Sequence, residues 1–373
     1  MDFTFTDEQT MLRESVARYL AKNYAFEARQ AIVRSDRPFS AEVWQALADF
    51  GLLALPFPEA LDGLGGSVVD LVAVGELFGE HLVVEPYLSS ILLAGRALAE
   101  VGDHPRAEHW LGRLMAGEAL AAFAHEEGAG TADPSLVAVS CTKAGGGYRL
   151  DGEKRLVLGG ANADVLVVTA RVDGAPGSPD GLALLVVEPG APGVRITPFK
   201  TLDGRSAAHL AFDGVEIPAD DLLTADAHGA ITRTLDGAVI ALAAEAVGAM
   251  TALLRQTGEY AGSRRQFGVP IATFQTVAHR LADMKIAHTK ARGTLLYTAA
   301  LAEAGRATRR DVSVLKAQVG RLGRALAEAA VQTHGGIGMT DELAIGHYLK
   351  RLLAIDAMFG DSDYHYRVVG AGA

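Results

Sequence analysis

The chain has 373 residues, too many for one small domain and enough for two or three packed ones. Hydrophobic residues make up 49% and charged residues 21%, a globular balance, and a formal net charge of −11 without a basic cluster argues against nucleic acid and anionic membranes as partners. The single cysteine, Cys141, excludes an intrachain disulfide and a cysteine-based metal site.

The opening segment, MDFTFTDEQTMLRESVARYL, has early acidic residues and no apolar stretch, so a signal peptide is not expected there. No run approaches the ~18 apolar residues of a membrane span, and a cytoplasmic location is the default expectation. Thr6 precedes Asp7 and Glu8, after which Met11, Leu12, Val16 and Leu20 recur at helical spacing, so Thr6 reads as an N-cap. A second helix is predicted from Ser40 through SAEVWQALADFGLLAL, ended by Pro56 and Pro58, with LDGLGG as a loop. Two further helical runs follow, VDLVAVGELFGEHL and YLSSILLAGRALAEVG.

Near residue 120 the pattern changes. Short valine-rich runs, YRLDGEKRLVL, DVLVVTARV, LALLVVE, VRITPF and AHLAFDGVEI, alternate with glycine turns and predict a compact antiparallel barrel or sandwich. Helices return near residue 229, as three long runs and a last one over about 341–358. The expected fold is mainly α with a central β domain: helices over 1–120, a β domain over 121–228 and a helical bundle over 229–373. No helix interrupts the strands, so a parallel βαβ sheet is not expected, and neither GxGxxG nor a P-loop occurs.

Four motifs in order carry a resemblance. AHEEGAGTAD matches an E-P-G-A-G-S-D loop, and LDGEKRLVLGGANAD matches N-G-x-K-x-W-I-T-N. YAGSRRQFGVPIATFQTVAHRLADM matches Y-A-x-x-R-x-x-F-G followed by Q and L-A-D-M, and VQTHGGIGM matches Q-x-x-G-G-x-G. The chain resembles the acyl-CoA dehydrogenase family over essentially its whole length. EPYLSSILLAGRAL, HGGIGMTDELAIGHYLKRL and MFGDSDYHYR are similar to small subunits of two-component members, the pimeloyl-CoA dehydrogenase small subunit and pairs acting on steroid side-chain CoA esters.

The resemblance implies a middle antiparallel β barrel, a C-terminal four-helix bundle and FAD. The family reaction removes an α-proton and a β-hydride from an acyl-CoA, and a glutamate takes the proton. Gly360 stands at the usual glutamate position and Ala238 at the alternative one, so both base positions lack a carboxylate. Glu245 lies seven residues beyond Ala238 on the same helix face, ~10 Å along the axis, and is the candidate substitute. Its plainer reading is a buried helix carboxylate held by a partner charge. Asp361 adjoins the lost glutamate but reads as a turn or cap aspartate.

Family members hold FAD between two subunits, the middle domain of one against the isoalloxazine ring and the bundle of its neighbour on the ADP half. The second set is intact here: Arg264, Gln266, Phe267, Gln275, Gln332, Gly335 and Gly336. Arg264 suits pyrophosphate, and the two glycines permit close backbone approach. The first set is degraded. Leu156 and Leu158 replace a tryptophan and a threonine, and His125 replaces a threonine that bonds the ring.

The resulting expectation is a small chain that completes the FAD site of a large acyl-CoA dehydrogenase subunit in a heterotetramer. That partner supplies base and substrate pocket, and electron-transfer flavoprotein takes the electrons. Two alternatives stand beside it: a self-sufficient homo-oligomeric dehydrogenase using Glu245, and a flavin-free CoA-ester-binding or structural protein on the same fold.

Overall fold

A computed structural model describes residues 6–128 and 132–371. Residues 129–131, the middle of the AHEEGAGTAD motif, lie outside the described residues.

The amino-terminal helices begin where side chains can cap them. α1 (Asp7–Asn23) starts with a reciprocal box in which the Thr6 hydroxyl accepts the Gln9 N–H and the Gln9 side chain accepts the Thr6 N–H. α2 (Phe26–Arg34) follows, then α3 (Ala41–Asp49), capped by Ser40. The predicted continuation of α3 to Pro56 does not form. Gly51 takes φ +75°, its N–H and that of Leu52 bond back to Ala48 and Leu47, and this Schellman turn ends the helix. α4 (Val68–His81) starts with another box, between Ser67 and Asp70. YLSSILLAG was expected to be an ordinary helix; Tyr87–Gly95 instead forms a π-helix, fully buried, that leads into α5 (Arg96–Ala99). α6 (Pro105–Met115) begins with proline at N1, where a missing N–H costs nothing.

The β domain holds β1 (Ala121–Ala124), β2 (Ser140–Ala144), β3 (Gly147–Leu158), β4 (Val165–Arg171), β5 (Leu182–Val187), β6 (Val194–Lys200), β7 (Ser206–Ile217) and β8 (Leu222–Thr224). They form one sheet in the order β6-β7-β3-β2-β4-β5-β8, with β1 beside β4. Pairing is mainly antiparallel, but β1 and β2 each run parallel to β4. The core is shared by residues of β1, β2, β3, β4, β5 and β7, including Ala122, Cys141, Leu150, Val168, Leu185 and Phe212. Ser90 of the π-helix docks on β1 by a two-way bond, its hydroxyl donating to the Ala121 carbonyl and accepting the Ala121 N–H.

The carboxy-terminal helices are α7 (His228–Ser263), α8 (Gln275–Glu303), α9 (Arg309–His334), α10 (Ala344–Ala357) and α11 (Ser362–Ala371), with a hairpin of β9 (Arg265–Gln266) and β10 (Val269–Pro270) between α7 and α8. On α9 the buried Val312, Leu315, Val319, Gly323, Leu326 and Ala330 recur every three or four residues. α11 was not anticipated. α7 corrects the expectation that no run approaches a membrane span: it is long and apolar enough to cross one by length and composition, but 83% of its most apolar window is buried in this protein. A core helix meets the same criterion for its own reason.

The chain forms two compact units. One comprises residues up to Ala31, Ser67–Val83 and Val239–Ala373; the other comprises Ile32–Gly66 and Val84–Ala238. Within the first, α4 and α7 meet backbone to backbone. A Cβ on Gly79 would fall 1.9 Å from the Glu245 carbonyl oxygen, and one on Gly248 would fall 1.8 Å from that of Glu76.

Candidate functional site

The base positions come first. Ala238 is buried on α7 and carries no titratable group. Gly360 is buried in the turn between α10 and α11 at φ +90°, after Phe359 at φ +55°. That turn is fastened from α9 and α11. The buried Lys316 ammonium donates to the Asp356 and Gly360 carbonyls at 2.7 Å each, and burial brings its pKa down to about 8. His365 contacts the Phe359 carbonyl and the Ser313 hydroxyl at 3.0 Å each. Asp361 points away, its carboxylate accepting the Tyr364 N–H at 2.7 Å and so capping α11.

Glu245 is claimed by another partner. Arg351 of α10 grips its carboxylate with two bonds of 2.7 and 2.6 Å, and both side chains are buried. A general base needs a lone pair within ~3 Å of the proton it takes. Here both carboxylate oxygens are committed to a guanidinium. Glu245 is thus placed as a structural ion-pair member, against its reading as a substitute base.

The expected ring-facing residues lie in the β domain. Leu156 sits at φ +52° in a bulge where the β3–β7 register slips, and is 41% exposed. It and the half-buried Leu158 offer no hydrogen bond through their side chains. His125 is buried, stacked on Phe123, with Nδ1 3.1 Å from the Thr169 hydroxyl. Burial, reinforced by the Lys154 charge, pushes its pKa down to about 3, so the ring is neutral. Lys154, fully buried, donates to the His125 carbonyl, the Thr169 hydroxyl and the Glu127 carboxylate. Glu127 also accepts the N–H groups of Ala138 and Val139, tying the loop ends together.

Sequence reasoning missed this network, although Lys154 stood in the matched G-x-K. His125, Glu126, Glu127, Asp133, Glu153 and Arg155 help line a cavity of 460 Å³. Among the described lining residues the carboxyl groups outnumber the Arg155 guanidinium, with Glu127 paired to the Lys154 ammonium. Glu126 stands out chemically, since burial raises its pKa to about 7 against the opposing Lys154 charge, with Glu127 adding to the rise.

The third group is of another character. Arg264 follows α7, and Gln266 and Phe267 form the first half of the β9–β10 hairpin. Phe267 (φ +52°) and Gly268 (φ +83°) make its tip, and the Phe267 ring is 94% exposed, edge-on to Phe274. Gln275 is the exposed first residue of α8. Gln332 is exposed in the last turn of α9, and Gly335 and Gly336 open the turn that ends it.

The last turn of α7 and the end of α9 are in contact. The Tyr260 ring stacks on His334 with centroids 4.4 Å apart, and its hydroxyl donates to the His334 carbonyl at 3.4 Å. Gly335 takes φ +67° with ψ −145°, which an L side chain resists. Gly336 has no such need. A Cβ there would meet nothing within 4 Å among the described residues.

Three domain families match in succession: acyl-CoA dehydrogenase N-terminal domain over residues 6–118, middle domain over 121–215 and C-terminal domain over 228–373. The chain belongs to the acyl-CoA dehydrogenase family. It is 30% identical to an acryloyl-CoA reductase (NADH) from Anaerotignum propionicum, across 99% of this chain and 95% of that one. Among solved structures it resembles the ChsE4–ChsE5 complex from Mycobacterium tuberculosis, at TM-score 0.89 and 29% identity over 100% of this chain and 98% of the other. It also resembles a variant of the Tcur3481–Tcur3483 steroid ACAD, at TM-score 0.87 and 28% identity over 98% and 97%. This acyl-CoA dehydrogenase thus has the family's three-part fold, a solvent-exposed Arg264-to-Gly336 surface and no carboxylate at Ala238 or Gly360.

Proposed function

We propose that this chain is the FAD-completing, non-catalytic small subunit of a heteromeric acyl-CoA dehydrogenase. The observation that carries the reading is an asymmetry. The Arg264–Gly336 surface is intact and exposed, while both base positions lack a carboxylate and Glu245 is locked to Arg351.

The exposed residues suit the ADP half of FAD. Arg264 offers a planar, permanently charged fork for pyrophosphate. Gly335 and Gly336 allow a phosphate or ribose to reach the backbone, and Gln266, Gln275 and Gln332 offer amide donors and acceptors. Phe267 presents an apolar face that is otherwise costly to expose. When bound, the flavin supplies the hydride acceptor for α,β-desaturation of an acyl-CoA thioester. This chain's residues hold and orient it, and the base and acyl pocket come from a large acyl-CoA dehydrogenase subunit.

The named neighbours that pair two different chains support a heteromer, and the steroid ACAD among them favours a bulky CoA ester over a short one. Electron-transfer flavoprotein as acceptor, a cytoplasmic location and the functional divisions 1–120, 121–228 and 229–373 belong to the same proposal.

The test is to express this chain alone and with a large-subunit-like partner, then record visible flavin absorbance and acyl-CoA oxidation. The expected result is a colourless, inactive lone chain and a yellow, active complex that loses its flavin on Arg264→Ala. A lone chain that binds FAD and oxidises an acyl-CoA overturns the reading. Glu126, whose pKa near neutrality suits proton exchange, then becomes a stronger base candidate than Glu245.

A further inference from the structure

Two separate loops make up the Arg264–Gly336 surface, and a cofactor spanning them requires a fixed distance between them. Each loop is open on its own account: a Cβ on Gly262, Gly268, Gly335 or Gly336 would meet nothing within 4 Å. Their roots meet at Tyr260 against His334. Tyr260 lies one turn before Arg264, whose N–H bonds to the Tyr260 carbonyl at 2.8 Å. His334 is the last residue of α9, next to Gly335.

His334 is built in from several sides. It is 6% exposed, and its Nδ1 lies 2.9 Å from the Ala330 carbonyl, an acceptor only, so Nδ1 carries the proton. That bond fixes the ring's rotation. One face of the imidazole stacks on Tyr260 at an interplanar angle of 23°. The returning turn packs beside it, because a Cβ on the buried Gly338 would come 3.0 Å from the His334 Cβ.

We propose that Tyr260 and His334 are the positioning pair of the flavin-completing surface, setting the register between the Arg264 hairpin and the Gly335–Gly336 turn. The proposal rests on the FAD-completing reading. Neither residue has to touch the cofactor. Each acts through the loop that leaves it.

The experiment uses the complex with its large partner and FAD as the probe. His334→Ala and Tyr260→Leu are expected to weaken FAD binding about tenfold, the scale of one aromatic pair. His334→Phe keeps a stacking ring and is expected to stay within about threefold of the parent. Thermal midpoint and assembly should not separate the Ala and Phe variants, whereas a purely structural role would appear there and not in flavin affinity.

Hydrogen exchange on the lone chain gives a second readout, with faster exchange expected at 264–270 and 335–339 in His334→Ala but not in His334→Phe. Unchanged FAD affinity and unchanged exchange in His334→Ala overturn the proposal. Arg264→Ala separates the two failures. If it too leaves FAD affinity intact, the FAD-completing reading has failed; if it weakens binding while His334→Ala does not, only the positioning pair has.

Discussion

Gly360 stands at one of the two expected base positions, and its backbone sets what a substitution there can do. A glutamate placed there is not expected to act as a base. At φ +90° an L side chain is strained by about 1–2 kcal/mol, and the turn cannot relax freely because Lys316 and His365 hold its carbonyls. Gly360→Glu is expected to lower the stability of the lone chain by about that amount and to give no acyl-CoA oxidation. Urea unfolding and a turnover assay check both, and activity in the lone variant would refute the account.

His125 gives a second prediction at this scale. Its folded pKa of about 3 lies below the ordinary 6.5, so the unfolded chain binds this proton first as pH falls. The stability it contributes is complete above the ordinary value and is lost on acidification towards the folded one. The slope is about 1.4 kcal/mol per pH unit between about pH 6 and 4. His125→Gln should flatten that part of the stability curve by about one proton, measured by urea unfolding across the range. Local sequence made visible that Ala238 and Gly360, the two expected base positions, carry no carboxylate. It could not show Arg351 against Glu245, because the partners are 106 residues apart and only folding joins them.

Among the elements, those specified by local chemistry were legible. Thr6 caps a helix as read, the helix predicted from Ser40 begins there, and β3, β4, β5, β6 and β7 form where valine-rich runs between turns placed them. β1, with sequence AAFA, has no β-branched residue and is a strand because β4 offers it a ladder. The π-helix is equally silent, since its wider turns are supported by burial and by the Ser90–Ala121 bonds rather than by composition. α11 begins only because Asp361 caps it, after a glycine turn that reads as a chain end.

The α4–α7 crossing yields a prediction for elements. Gly75, Gly79 and Gly248 let the two backbones touch, and this contact walls off the carbonyl of Glu245. Gly248→Ala places a methyl 1.8 Å from a carbonyl oxygen, a distance that forces the helices apart. The gain in helix propensity, about 1 kcal/mol, is smaller than the overpacking cost of about 3 kcal/mol. A net loss of stability is therefore expected in calorimetry, although the same substitution stabilises most exposed helices.

For the assembled molecule, the two kinds of surface determine how much flavin can bind. A site shared between neighbours needs a ring-facing half from one chain and an ADP-facing half from the other. In a tetramer of two large and two small chains, the pairings in which this chain supplies Arg264, Gly335 and Gly336 are complete. Those in which it would supply the ring-facing half meet Leu156 and Leu158, which offer no side-chain hydrogen bond. On the proposed heterotetramer two of four sites are expected to be lost, leaving about two flavins per tetramer. Native mass spectrometry of the flavin-saturated complex reads this number directly. Four flavins would mean that the β domain of this chain still holds a ring, so that Leu156 and Leu158 are tolerated replacements rather than losses. Two flavins, both released by Arg264→Ala in this chain, would place every cofactor on the Arg264–Gly336 surface.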